Sequence, residues 1–161
     1  MRRYNLNDPA FADDETDPDG FKTAYDRVGP KVGGDKLGAT HYLIRPGQHL
    51  CPYHYEYGEE EWLLVLEGTP RLRTPSGERE LRPGDVAHFP RGADGAHQVW
   101  NDGSVPARFV IAAASTTPEI VEYPDTGKIA AMAKTPSQRG AALWTMHFLE
   151  NETGYWDGEA T

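Results

Sequence analysis

Cysteine is nearly absent: Cys51 stands alone among 161 residues, which excludes an internal disulfide framework and a cysteine-rich zinc site. Basic residues are also scarce, with 16 Lys and Arg against 25 Asp and Glu and a formal net charge of −9. A chain of that sign repels a phosphate backbone and an anionic bilayer, so neither nucleic acid nor a membrane is expected as a partner. Apolar runs stay far short of the roughly 18 residues that span a bilayer. The start, Met1-Arg2-Arg3-Tyr4-Asn5-Leu6, has charge but no apolar stretch behind it, which argues against a secretory leader and for a cytoplasmic location. Hydrophobic residues are only 38% of the chain, a low share for a globular protein. Turn formers are plentiful instead, with 17 Gly and 13 Pro. Length predicts one domain, large enough for a core without staples.

Three stretches differ in character. Residues 1–36 form an acidic N-terminal arm, whose stretch from Asp8 to Gly20 carries Asp8, Asp13, Asp14, Glu15, Asp17 and Asp19 and contains no basic residue. It has too little apolar area to offset its ordering entropy and is expected to be partly mobile. Residues 37–115 are short apolar runs broken by turns: Thr40–Ile44, Glu61–Leu66, Arg71–Arg73, Asp85–Phe89, His97–Trp100 and Ala107–Ala113. Short strands at near-regular spacing, with Gly and Pro between them, predict an all-β sandwich or barrel. Residues 116–161 are expected to pack on the barrel or on a dimer partner. Within them Ile129–Lys134 fits a short helix or an irregular extension, and Leu143–Leu149 a strand or helix.

Chemistry concentrates in His54-Tyr55-Glu56-Tyr57-Gly58-Glu59-Glu60-Glu61, with His97 some forty residues on. Residues two apart on a strand share a face, so His54 and Glu56 project together. Two imidazoles and one or two carboxylates converging inside a barrel suit Fe(II), Mn(II), Zn(II), Ni(II) or Co(II) and are too rich in nitrogen for a calcium cage. His41, His49, His88 and His147 are expected to pack or lie at the surface, and Cys51 to be a small buried hydrophobe. Trp62, Leu64 and Leu66 alternate with Glu61, Leu63 and Val65, so both faces of that strand need cover. Trp144, Phe148 and Trp156, or a second subunit, are the expected source.

The run Gly47…His54-x-Glu56-x4-Glu61-x6-Gly68 resembles the first cupin motif, and Gly84-x5-Pro90-x-Gly92-x4-His97-x3-Asn101 resembles the second. The resemblance implies a jelly-roll, double-stranded β-helix barrel with short terminal extensions, and a homodimer. It also implies a divalent metal on His54, Glu61 and His97. The fourth ligand position holds Glu56 where the family usually has His. Glu56 is then a ligand, a general base beside a two-His, one-carboxylate triad, or the mark of a lost site. Tyr123-Pro124-Asp125-Thr126-Gly127-Lys128 is similar to a segment of small cupins described as sugar-phosphate isomerases. The expected function is that of a metal-dependent enzyme acting on a small polar molecule, of dioxygenase, isomerase or lyase type. The alternative is a non-catalytic module that binds a sugar or small organic acid.

Overall fold

Alternation along the strands decides what the barrel encloses. In the computed structural model, which describes residues 1–133 and 143–159, Leu63 and Val65 of the strand Glu61–Glu67 are buried while Trp62 and Leu64 face out. Phe109 and Ile111 are likewise the inward residues of Ala107–Ala114. In chain order the strands are β1 (Ala12–Asp13), β2 (Thr23–Arg27), β3 (Leu37–Ile44), β4 (Tyr55–Glu56), β5 (Glu61–Glu67), β6 (Arg71–Thr74) and β7 (Gly77–Glu80). They continue as β8 (Val86–Phe89), β9 (Gln98–Trp100), β10 (Ala107–Ala114), β11 (Glu119–Tyr123), β12 (Lys128–Ala133) and β13 (Leu143–Phe148). A five-residue helix, α1 (Val28–Val32), follows β2.

Every strand pairing among the described residues is antiparallel, and the all-β expectation holds. The strands form a six-stranded sheet in the order β1-β2-β3-β10-β5-β8, a four-stranded sheet β13-β12-β11-β4 and a three-stranded sheet β7-β6-β9. Ile44, Leu63, Val65, Phe89, Phe109 and Ile111 of the large sheet pack with Leu72 and Val99 of the small one, each fully buried side chain contributing about 1.5–3 kcal/mol. Gly68 ends β5 with φ +73, and a Cβ there would lie 2.7 Å from the Cα of Ala107. Asn101 closes the barrel end: its buried side-chain amide donates to the carbonyls of Ile44 at 3.0 Å and Val105 at 2.8 Å.

Residues ahead of position 37 belong to this architecture, because β2 pairs with β3 through Tyr25 opposite Tyr42 and Asp26 opposite His41. On the outer side of that pair Asp26 and His41 are buried and clasp the first residues of the chain. The Tyr4 hydroxyl and the Ala10 N–H each donate to Asp26 Oδ2 at 2.8 Å, and Lys31 pairs with the same carboxylate. Arg108 donates to the Leu6 carbonyl and to Glu67, while the Phe11 ring meets the His41 edge at 4.8 Å. Beyond the clasp β1 pairs with β2, and Arg45 holds Asp13 through two hydrogen bonds of 2.7 and 3.1 Å.

Two sequence expectations change. The stretch read as a short helix or irregular is β12, because Ala130 is fully buried opposite Val121 and cross-strand pairing outweighs the helix preference of alanine; Lys134, its last residue, lies outside the described residues. Leu143–Phe148 is the edge strand β13 beside β12. Its Trp144 and Phe148, together with Trp156, stay 50–76% exposed, and Trp62 is 56% exposed. The tail aromatics therefore do not cover the outer face of β5 within one chain.

Burial raises the Asp26 carboxyl, but hydrogen bonds from Lys31, Ala10 and Tyr4 prevail and hold it below the ordinary carboxylate range. Burial, aided by Arg108, depresses the His41 imidazole. Both depressions make the unfolded chain the better proton acceptor, so stability is lost on acidification. The His41 share fades as pH drops below about 6.5, and the Asp26 share below about 4. Calorimetry from pH 7.5 down to 4 should show a falling Tm. At pH 7.5 Asp26→Asn should cost about 2 kcal/mol, or about 4–8 °C, because it unpairs the groups of the clasp.

Candidate metal centre

An isolated antiparallel bridge joins the two motif histidines. The His54 N–H donates to the His97 carbonyl at 3.1 Å, and the His97 N–H returns a bond of 2.8 Å to the His54 carbonyl. Directly opposed residues of an antiparallel pair project to one face, and the two rings lie 4.7 Å apart. Glu61 opens β5 on the same inward side as Leu63 and Val65, and its Oε2 lies 3.3 Å from His97 Nε2. One ligating atom from each of His54, Glu61 and His97 falls within 4.8 Å of the others.

The backbone sets the orientation of both rings. His97 Nδ1 lies 2.9 Å from the Gly95 carbonyl, and His54 Nδ1 lies 3.0 Å from the Pro52 carbonyl. A carbonyl oxygen can only accept, so each Nδ1 carries the proton and each Nε2 keeps its lone pair for the cavity. His97 stacks flat on Phe89 at 3.7 Å and 7°, and His54 stacks on Tyr123 at 5.9 Å. Burial, reinforced by the neighbouring His97, lowers the His54 pKa, which favours the neutral, ligating form. Two fixed imidazole nitrogens and a carboxylate oxygen match the donor set of a first-row divalent ion.

Glu56 on β4 opens into the same cavity but lies outside that three-residue group. Its Oε2 is buried with no hydrogen-bond partner. Burial, followed by the charge of Glu61, pushes its carboxyl well above the usual range. The cavity measures about 630 Å³, and its wall includes Thr23, Tyr25 and Arg27 of β2 with Thr40 and Tyr42 of β3. Asp14 and Asp17 from the N-terminal segment complete it. Cys51 also lines it, and burial drives its thiol pKa upward, so the thiolate is disfavoured.

Other histidines lie elsewhere. His41 belongs to the outer clasp, His49 stacks on Trp100 at 5.9 Å, His88 lies 3.5 Å from Glu60, and His147 contacts Thr145. Tyr53 and Tyr55 pack with Ala96, on the opposite alternation to His54 and Glu56. The wall residues of β2 escape a sequence reading that assigns everything before position 37 to an arm. Their signal is the alternation of Thr23, Tyr25 and Arg27 with Ala24 and Asp26.

Gly95 is a further supporting residue. Besides offering its carbonyl to His97, it leaves no room for a side chain: a Cβ would stand 1.6 Å from the Pro90 carbonyl oxygen. Gly95→Ala must displace the loop that carries His97. Thermal denaturation should show a loss of about 2 kcal/mol or more.

Residues 40–113 match the family described as the cupin domain. No curated protein matches the chain. Among solved structures, a protein of Acidithiobacillus ferrooxidans described provisionally as a sugar phosphate isomerase superposes with a TM-score of 0.73 at 25% identity, over 84% of this chain and 81% of its own. A sugar phosphate isomerase from a cupin superfamily, of Silicibacter pomeroyi, gives 0.78 at 22% identity over 96% and 98%. The polyketide cyclase RemF of Streptomyces resistomycificus gives 0.59 at 23% identity over 74% and 83%. The barrel these proteins share is the jelly-roll, double-stranded β-helix expected from the two motifs. On that match residues 40–113 are a cupin domain, and the chain around them carries the fold of the small jelly-roll structures it superposes on.

Proposed function

We propose that this protein is a metal-dependent enzyme that shifts a proton within a small polar hydroxy-carbonyl substrate, in the manner of an isomerase. His54, Glu61 and His97 hold the ion and Glu56 carries the proton. The observation behind this reading is the position of Glu56. It has a buried, unpartnered oxygen in the same cavity as the three-residue group without being part of it. A bound divalent Fe, Mn, Zn, Ni or Co ion supplies Lewis acidity toward a substrate oxygen. With the ion's charge favouring its ionised form, Glu56 Oε2 would accept the proton from the hydroxyl-bearing carbon and return it to the carbonyl carbon, while the hydroxyl proton passes to the former carbonyl oxygen, so that atoms and charge balance. Tyr42, pushed up to about 12 mainly by burial, stays a neutral hydroxyl on the wall and can orient substrate oxygens. The 25% identical relative described provisionally as a sugar phosphate isomerase supports the same direction.

Dioxygenase chemistry is the second reading, favoured by the two-His, one-carboxylate make-up of the group, an arrangement used by non-haem iron oxygenases. Two measurements separate them. Metal content by mass spectrometry should be near stoichiometric in the natural protein and in Glu56→Gln, and should fall at least about tenfold in Glu61→Ala. In D2O the loaded protein should exchange deuterium into hydroxy-aldehydes and hydroxy-ketones, and Glu56→Gln should slow this by about 10²–10⁴-fold. Metal loss in Glu56→Gln would make Glu56 a ligand. Oxygen uptake by the Fe(II) form without exchange would make the protein an oxygenase. A metal-poor natural protein would leave only a binding module.

A further inference from the structure

The two ends of the cavity are built differently. Its reactive end is the histidine bridge with Glu56 and Glu61; most of the remaining wall comes from β2, β3 and the N-terminal segment, with Pro30, Leu50, Cys51 and Ile111 filling in. Of the acidic residues between Asp8 and Asp19, only Asp14 and Asp17 are half-buried, and these are the two that line the cavity; Asp8, Asp13, Glu15 and Asp19 are exposed. Their place does not depend on chance contacts of a loose tail. The Asp26 and Arg108 clasp, the β1–β2 pairing and the Arg45–Asp13 pair hold the chain on both sides of the point where it turns over the cavity. Around them stand hydroxyl groups, from Tyr25 on β2 and from Thr40 and Tyr42 on β3, and one cation, Arg27.

That inventory selects against a phosphate monoester. A phosphate dianion needs several converging N–H donors or cations, yet among the described lining residues Arg27 is the single cationic side chain, and it shares the cavity with the carboxyl groups of Asp14, Asp17, Glu56 and Glu61. An anion approaching past Asp14 and Asp17 is repelled. Carboxylates that only accept, beside hydroxyls that both donate and accept, match the vicinal hydroxyl groups of a polyol. We infer that the cavity takes an uncharged polyhydroxylated molecule, sugar-like and without a phosphate group, whose hydroxyls away from the reacting carbons are held by Asp14 and Asp17.

This inference rests on reading the cavity as the substrate site, and binding measurements test it without turnover. Full-length, metal-loaded protein is titrated with D-ribose, D-fructose and D-mannose, with the phosphate monoester of each, and with inorganic phosphate, using calorimetry and saturation-transfer NMR. The free sugars should bind at least about tenfold more tightly than their phosphate esters. Asp14→Asn/Asp17→Asn, two substitutions outside the core, should weaken sugar binding by about tenfold and narrow the gap to the esters, with Tm unchanged. Tighter binding of the esters overturns the inference, as does binding of neither series or unchanged sugar affinity in the double variant. Metal content and deuterium exchange in the same samples keep the outcomes apart. A failed proton-transfer reading shows as lost metal or exchange with sugar binding intact. A failed substrate assignment shows as a preference for phosphate in fully loaded, exchanging protein.

Discussion

Two backbone hydrogen bonds between His54 and His97 hold the candidate centre together. They set two rings side by side that sit in separate loops, and each loop spends a carbonyl, Pro52 or Gly95, on fixing its own ring. Because those bonds use main-chain atoms and Nδ1, the Nε2 atoms are left facing the cavity without a side-chain partner needing to move. The six-stranded sheet supplies the rest: Glu61 from the start of β5 and, opposite it in register, Phe89 of β8 as the plate behind His97. Displacing this bridge would change ligand direction and ring orientation together.

The pair β2–β3 serves two purposes through one alternation. Outward, Asp26 and His41 are buried beneath the first residues of the chain and anchor them. Inward, Tyr25, Arg27, Thr40 and Tyr42 form cavity wall. Register makes the two inseparable, since Asp26 faces His41 and Tyr25 faces Tyr42 across the same ladder. A slip by one residue would send the clasp into the cavity and the wall into the clasp.

Much of this was legible in the residues. Short apolar runs between turn formers marked β5 and β10, and the spacing of His54, Glu56, Glu61 and His97 named side chains that the fold gathers around one cavity. Other features were hidden for physical reasons. Whether Glu56 joins the ligands depends on how β4 seats against β11 beside the histidine bridge, which no spacing encodes. Ala130 and its neighbours read as helix formers because their strand identity comes from pairing with β11, a partner distant from them in kind rather than in pattern. The acidity of the first twenty residues suggested solvation and masked Asp14 and Asp17, whose neighbours point to solvent while they do not. Trp62 and Trp144 carry apolar area that their own chain leaves bare.

The match to the cupin domain spans residues 40–113 and so contains His54, Glu56, Glu61 and His97, but it stops short of Asp14, Asp17, Thr23, Tyr25 and Arg27. On the reading proposed above, the groups that would act on a substrate and the two aspartates that would select it lie in different parts of the chain. The segment ahead of the barrel could then be exchanged, lengthened or recharged without touching His54, Glu56, Glu61 or His97. Under that reading, similarity over the barrel would speak to the reaction and the thirty-nine residues ahead of it to the substrate.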